Sequence, residues 1–376
     1  MRQLVLLVDA LGWMTVERLG FLADRLTHRR KLTTVFGYSS TAIPSLLTGA
    51  RPRDHGHWFL FRRARGKSPF VGAGWIDRLP GNLGTRWRVR SRLQEFWRKR
   101  ANIQGYFSLY EVPLRILPEL EPVEVRDTWA PGAFPEVPSL VDHLERRGKP
   151  FHVSDWRVSD ATKVARALAV LEREEPEVVV LYLTEVDATQ HRVGTRHDQF
   201  DAKVAATEAA IRELWDAMAA RGPVGVTLFS DHGMTDITRL EDLTTALEAA
   251  GLKRGRDYGG FLDSTVARFW DVRETRRLVE ALESLDWGRV LSPETLHAWG
   301  VDFPRADYGD LFFLADPGVL ILPSDMGSAP LAAMHGYDPS DPTSDACLLS
   351  DRPLELEEDH ITAVLPALLG RIDGNR

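Results

Sequence analysis

Two uninterrupted apolar runs constrain this chain more than any other feature. Leu4-Val5-Leu6-Leu7-Val8 and Val178-Val179-Val180-Leu181-Tyr182-Leu183 carry no charged residue on either side of the strand they would form. Successive side chains of a strand point to opposite faces, so such a run must be covered on both, as in a parallel sheet. Val224–Phe229 begins a third strand of this kind, while Leu32–Phe36 and Phe151–Val153 are shorter strand candidates. Helical spacing lies between them. Val16, Leu19, Leu22 and Leu26 share one face, and Val204, Ile211, Leu214, Trp215 and Met218 mark another. A helix over Ser139–Arg147 stops at Gly148. Strands alternating with helices predict an α/β fold with a doubly wound, mostly parallel sheet.

The first run is five residues long and ends at Asp9, too short for a secretory h-region or a membrane span. The chain has 47 Lys+Arg against 54 Asp+Glu, a net charge of −7, which argues against nucleic acid as the general partner. Its single cysteine, Cys347, excludes a disulfide framework and a Cys-rich zinc site, and a cytoplasmic address is expected. Residues 1–376 are expected to form one catalytic domain with two insertions, 58–135 and 236–330. In the second, Thr265–Trp270 and Leu311–Leu322 are strand candidates. The first is the basic one. Between Arg62 and Arg100 stand twelve Lys/Arg and two acids, Asp77 and Glu95, interleaved with Trp75, Trp87 and Trp97. A cap with a tryptophan core, a lid over an anionic or aromatic substrate, and a peripheral membrane contact all fit that composition. Arg86-Trp87-Arg88-Val89-Arg90 alternates like a strand.

Ligands of open α/β sheets gather at the carboxyl ends of the strands. The first strand runs into Asp9. The next two run into Thr184-Glu185-Val186-Asp187-Ala188-Thr189-Gln190-His191 and Ser230-Asp231-His232-Gly233-Met234, and Met334-His335-Gly336-Tyr337-Asp338 follows the second insertion. A lone Asp or His is usually a cap or turn residue. Together, Asp9, Asp187, His191, Asp231, His232 and His335 are enough donors for two zinc-type sites, and Asp187 and His191 share a helical face. A nucleophile is available in the hydroxyl-rich turn Gly37-Tyr38-Ser39-Ser40-Thr41, which enters a helix whose N-terminus attracts anions. By itself that turn would be an ordinary N-cap.

Taken with Thr48-Gly49 and Pro52-Arg53-Asp54-His55-Gly56, these segments resemble the alkaline phosphatase superfamily. The branch they resemble is the type I phosphodiesterase/nucleotide pyrophosphatase group. The resemblance implies two divalent metal ions, zinc in the first place, with manganese or iron as alternatives. It assigns Asp9, Asp231 and His232 to the ion that also holds the nucleophile, and Asp187, His191 and His335 to the second. The nucleophile of the family stands nine positions before the Thr of the Thr-Gly pair, which selects Ser39 over Ser40 and Thr41. The implied activity is phosphoric ester hydrolysis of the phosphodiesterase/pyrophosphatase type through a phosphoseryl intermediate, on a small-molecule or lipid-linked phosphoester. A monoesterase, a phosphoryl transferase and a metal-dependent binding module without turnover are the alternatives. Two departures stand out. The Asn that the group places after its His-Gly pair is missing from His57-Trp58-Phe59-Leu60-Phe61-Arg62-Arg63, so Arg62 or Arg63 is a candidate phosphate donor, with a solvated surface position as the commoner reading for such arginines. The Cys/Ser-x-Pro-x-Arg pattern of sulfatases is absent around Ser39.

Overall fold

A computed structural model of the chain describes residues 1–76 and 86–374. Its centre is a six-stranded sheet in the spatial order His28–Leu32, Ala346–Ser350, Val224–Phe229, Arg2–Val8, Val178–Leu183, Phe151–Val153. The last four run parallel. Ala346–Ser350 is antiparallel to both of its neighbours. The apolar alternation divides the core as strand geometry requires. Leu4, Leu6 and Val8 pack with Val204, Ile211, Leu214 and Met218 of the helix Asp198–Ala219 on one face. Val5 and Leu7 pack with Ile43 and Leu46, Leu140 and Leu144, and Val364 and Leu368 from three helices on the other. The sheet is doubly wound and mostly parallel. Because Val8 pairs with Leu183 and Leu7 with Phe229, the three central strands end level with one another.

Several local expectations are met and others corrected. Ser139 caps the helix Leu140–Arg147 through a capping box with Asp142, and Gly148 ends it in the left-handed conformation. The second strand is His28–Leu32, not Leu32–Phe36. It lies at the sheet edge with a partner on one side only, so it can carry charge that a central strand cannot. The first helix spans Trp13–Leu19 and stops at Gly20, with Leu22 at φ 49°, so Leu22 and Leu26 reach the core from turns. The Leu311–Leu322 run is two strands, Leu311–Ala315 and Val319–Ile321, parted at Gly318 with φ 87°.

The first insertion builds a core around Phe70, Trp97, Phe107, Leu114 and Leu117 that reaches Phe261 and Trp270. Residues 77–85, with Asp77 and Arg78, lie outside the described residues. Arg86–Arg90 is not a strand: the chain forms the helix Trp87–Arg100. Five residues of alternation were outweighed by Arg90, Leu93, Gln94 and Trp97, which stand at i, i+3, i+4 and i+7 on one face. Arg90 donates to the carbonyls of Leu109, Tyr110 and Val112, and Trp97 is 3% exposed. The second insertion carries an antiparallel sheet in the order Gly259–Leu262, Val266–Trp270, Leu311–Ala315, Gly288–Val290.

Candidate metal centre and catalytic cleft

Level strand ends put the expected site residues side by side. Asp9 follows the first strand, and Ala10 turns the chain at φ 55°, which aims its N–H at Asp231 Oδ1, 3.1 Å away. Asp187 and His191 share a face of the helix Glu185–Val193, with Oδ1 and Nε2 3.2 Å apart. Asp231 and His232 leave the strand Val224–Phe229, and His335 leaves the short strand Ala333–Met334. Two glycines are needed for the approach. A Cβ on Gly233 would lie 2.1 Å from the Thr343 carbonyl oxygen, and one on Gly336, at φ 89°, would lie 2.5 Å from the Tyr38 ring.

The side chains converge. His232 Nε2 lies 3.2 Å from Asp231 Oδ2, 3.7 Å from Asp9 Oδ1 and 2.9 Å from Ser39 Oγ. His335 Nε2 is 3.8 Å from Asp187 Oδ1, and the His232 and His335 rings stack with centroids 3.8 Å apart. Two groups can each close on one ion: Asp187, His191 and His335, and Asp9, Asp187 and His232. Asp187 belongs to both, and Asp231 joins the second through His232. The structure thus brings Asp9, Ser39, Asp187, His191, Asp231, His232 and His335 into one place.

The electrostatics of the bare cluster are those of a cation site. Burial, with the Asp231 and Asp187 charges, holds the Asp9 carboxyl well above the usual carboxylate range. Burial pushes Asp231 up to about 7, with Asp187 adding to it. Burial opposes ionisation of Asp187, but His191 and His232 outweigh it and keep this carboxyl low. Burial likewise disfavours charge on His191, yet Asp187 raises it to about 9. His335 is pushed well below its ordinary value by burial and by the two other imidazoles. Among the described residues, buried Asp9 Oδ1, Asp187 Oδ1, Asp231 Oδ2 and His335 Nδ1 have no hydrogen-bond partner. Such orphans are rare where nothing else is meant to bind. His191 Nδ1 and His232 Nδ1 each lie 2.9 Å from a backbone carbonyl, of Ala333 and Gly233, which leaves each Nε2 lone pair aimed inward. Mixed carboxylate and imidazole donors of this kind fit two divalent cations. Beyond them, the Tyr182 hydroxyl donates to Asp9 Oδ2 while its ring stacks on Trp129.

Ser39 opens the helix Ser39–Thr48, whose N-cap carbonyl, Tyr38, takes the N–H groups of Thr41 and Ala42 at 2.7 and 3.0 Å. Thr41 is fully buried and donates its hydroxyl to the Trp58 carbonyl, so it is not free to react. Ser40 lines the cleft beside Ser39. The Tyr38 hydroxyl lies 2.8 Å from Thr265 Oγ1, which donates to the Gly336 carbonyl at 3.0 Å. One bridge therefore fixes the residue before Ser39 and the residue after His335 to the second insertion.

The cleft above the cluster measures about 790 Å³. Tyr106, Tyr110, Glu124 and Trp129 of the first insertion, Trp156 and Arg157, and Asp263, Leu320, Ile321 and Met326 of the second insertion line it. Burial raises Glu124 to about 7 and Asp263 to about 6. Arg62 and Arg63 do not line this cleft. Arg62 is paired with Glu121 at 2.7 Å, and Arg63 with Asp271 at 2.9 Å beside the Trp270 ring. Arg157 is the one Lys or Arg in the lining among the described residues, stacked on Trp156 at 4.4 Å and bonded to Asp127 at 2.8 Å. It follows the strand Phe151–Val153, so the strand-end rule that picks out Asp9 also points to it.

A model of the type I phosphodiesterase/nucleotide pyrophosphatase family matches residues 3–338. Among solved structures, murine ectonucleotide pyrophosphatase/phosphodiesterase 5 superposes with a TM-score of 0.69 at 18% identity, covering 99% of this chain and 95% of its own. An inactive variant of that murine protein in complex with AMP gives 0.68 at 18%, covering 99% and 94%. The human protein gives 0.68 at 16%, covering 99% and 95%. At such identities these structures speak for the fold. No curated protein matches the sequence significantly. The family match spans every motif from Asp9 to Asp338, and the chain belongs to the type I phosphodiesterase/nucleotide pyrophosphatase family of the alkaline phosphatase superfamily, whose members hydrolyse phosphoester bonds.

Proposed function

We propose that this phosphodiesterase is metal-dependent and works through Ser39. The observation that carries the reading is the place of Ser39 Oγ: at a helix N-terminus, 2.9 Å from His232 Nε2, on the edge of a carboxylate–imidazole cluster with orphaned donors. Asp9, Asp231, His232 and Ser39 would hold one divalent ion, and Asp187, His191 and His335 the other, with Asp187 near enough to serve both. When bound, ions there lower the pKa of a coordinated hydroxyl and neutralise phosphoryl charge, and zinc suits the donor set best, ahead of manganese or iron.

The chain's own groups do the rest. The Ser40 N–H at the helix N-terminus would face a phosphoryl oxygen, while those of Thr41 and Ala42 are held by the Tyr38 carbonyl. Ser39 Oγ forms a bond to phosphorus as the bond to the leaving alcohol breaks, giving a phosphoseryl ester. Water then attacks phosphorus, the second fragment leaves as a phosphate, and Ser39 regains its proton. Arg157, Trp156, Trp129 and Tyr106 offer a charged fork and flat faces to a leaving group that is anionic or planar, as in a nucleotide. A related murine protein was solved with AMP. A lining drawn from both insertions gives room for two substituents and favours a diester. A cytoplasmic setting belongs to the same proposal.

Kinetics with bis(4-nitrophenyl) phosphate and 4-nitrophenyl phosphate on the zinc-loaded protein test the preference. A larger kcat/KM for the diester supports it. A monoester preference moves the assignment to a phosphatase. No hydrolysis of either, with phosphate passed to an added alcohol, moves it to a transferase, and metal-dependent binding with no chemistry moves it to a binding module.

A further inference from the structure

The helix Trp87–Arg100 has a second face that, among the described residues, neither the cleft nor the core uses. Its inner face grips the insertion: Arg90 donates to three loop carbonyls, Gln94 Oε1 accepts from the Leu109 N–H, and Trp97 is buried. Its outer face carries Arg88, Arg92 and Lys99, which fall within half a turn of one another at helical spacing. The helix holds six basic residues and one acid, a charge of +5 within a chain of net charge −7. Glu95, the single acid, is taken by Arg98 and Lys99. Arg92 and Arg100 have no acidic partner among the described residues, and Arg88 lies 5.4 Å over the ring of Trp87. Large apolar side chains of the helix are exposed alongside: Trp87 is 71% exposed and Phe96 56%.

Cations on an outward face with aromatic rings at its flanks are the surface of a helix that lies in a bilayer interface. Lys and Arg would lie among anionic headgroups, with the rings on the flanks at the level of the headgroups. A second copy of the chain would set like charges against each other. A nucleic acid strand would find charge but no row of stacking faces, because Trp87 and Phe96 stand on opposite flanks of the helix. Among the described residues no helix is long and apolar enough to cross a membrane, so contact through this face would be peripheral.

We propose that the outer face of the Trp87–Arg100 helix docks this protein onto the surface of an anionic lipid bilayer. Charge supplies the attraction, and it weakens with salt as the Debye length shortens. Each basic side chain near such a surface contributes about fivefold in affinity.

Co-sedimentation of the full chain with vesicles of phosphatidylglycerol and phosphatidylcholine in equal parts tests the proposal, with phosphatidylcholine vesicles as the comparison. The protein should sediment with the anionic vesicles, not with the neutral ones, and less so at high salt. Arg88→Gln/Arg92→Gln/Lys99→Gln should weaken binding by about a hundredfold. Trp87→Ala/Phe96→Ala should weaken it while its salt dependence stays. Both variants alter exposed positions, and unchanged hydrolysis of a soluble aryl phosphodiester shows that they are folded. Absence of wild-type binding to anionic vesicles overturns the proposal, as does undiminished binding by the charge variant. Binding of a single-stranded RNA oligonucleotide in place of vesicles, lost in the same charge variant, would also overturn it and assign the face to nucleic acid.

Discussion

Removing one oxygen atom from Tyr182 should loosen the metal centre without disturbing the sheet around it. The Tyr182 hydroxyl donates to Asp9 Oδ2, and its ring stacks on Trp129 at 5.2 Å in a position only 9% exposed. Tyr182→Phe keeps the ring and deletes the bond. A hydrogen bond to a charged group is worth about 1.5–3 kcal/mol, and groups that orient metal ligands typically govern about 10–100-fold in metal affinity. The two scales agree, since tenfold is about 1.4 kcal/mol. The effect has a pH direction. Asp9 is held high by burial and by the Asp231 and Asp187 charges, and the Tyr182 bond pulls it down. Without that bond the carboxyl takes up its proton at higher pH, and a protonated carboxyl is a poor ligand. Competition of stripped protein against a chromophoric zinc chelator should show a dissociation constant raised about 10–100-fold, with the gap widening as pH falls. Denaturant unfolding of the same metal-free samples should differ by no more than the roughly 1.5–3 kcal/mol of that one bond. A variant that binds zinc as tightly as the parent, at every pH, would refute the reasoning.

Three further outcomes follow from the same geometry. In metal-free protein His191 titrates at about 9, above its unfolded value near 6.5, so folding takes up a proton between these and stability should rise as pH falls from 9 to 7. The gain should be about 2 kcal/mol in urea unfolding and should vanish with zinc bound, because a ligating imidazole is not protonated; a gain that persists with zinc bound, or is absent without it, contradicts the account. Arg157→Gln should raise KM for a nucleotide diester by about tenfold, while Arg62→Gln and Arg63→Gln, which break ion pairs outside the cleft, should stay within about twofold, and steady-state kinetics at fixed zinc decide between them. Tyr38→Phe frees the turn before Ser39 from Thr265 and should lower kcat more than it changes KM, by about tenfold, with zinc content unchanged; a loss confined to KM would place Tyr38 in binding instead.

Which parts of this could be read from residues alone follows from how local each signal is. Asp9, Asp187, Asp231 and His232 come directly after apolar strands, so a rule about strand ends finds them without any long-range knowledge. His335 was found through its motif rather than through a strand, because the strand before it is two residues long. Arg157 obeys the same rule but follows a three-residue strand whose positions are all half-buried, too weak a pattern to draw attention to its end. The bonds from Tyr182 to Asp9 and from Tyr38 to Thr265 cross 173 and 227 residues, and nothing in either local sequence announces them. His28–Leu32 escaped because edge strands need no continuous apolar run. Arg86–Arg90 alternates like a strand over only five residues, a window in which helix and strand periods are hard to separate. Arg62 and Arg63 had the right chemistry for phosphate, but Glu121 and Asp271, distant in sequence, hold them elsewhere.

The central claim is that Ser39 carries the phosphoryl group. Acid quenching of the zinc-loaded protein during turnover of an aryl phosphodiester, followed by peptide mass spectrometry, reads this directly. An aryl phosphate group, left after loss of one aryl alcohol, should appear on the peptide containing Ser39 and be absent from Ser39→Ala, whose kcat should fall by about 10⁴-fold or more with zinc content preserved. That adduct on another residue, or turnover by Ser39→Ala within about tenfold of the parent, would contradict the account.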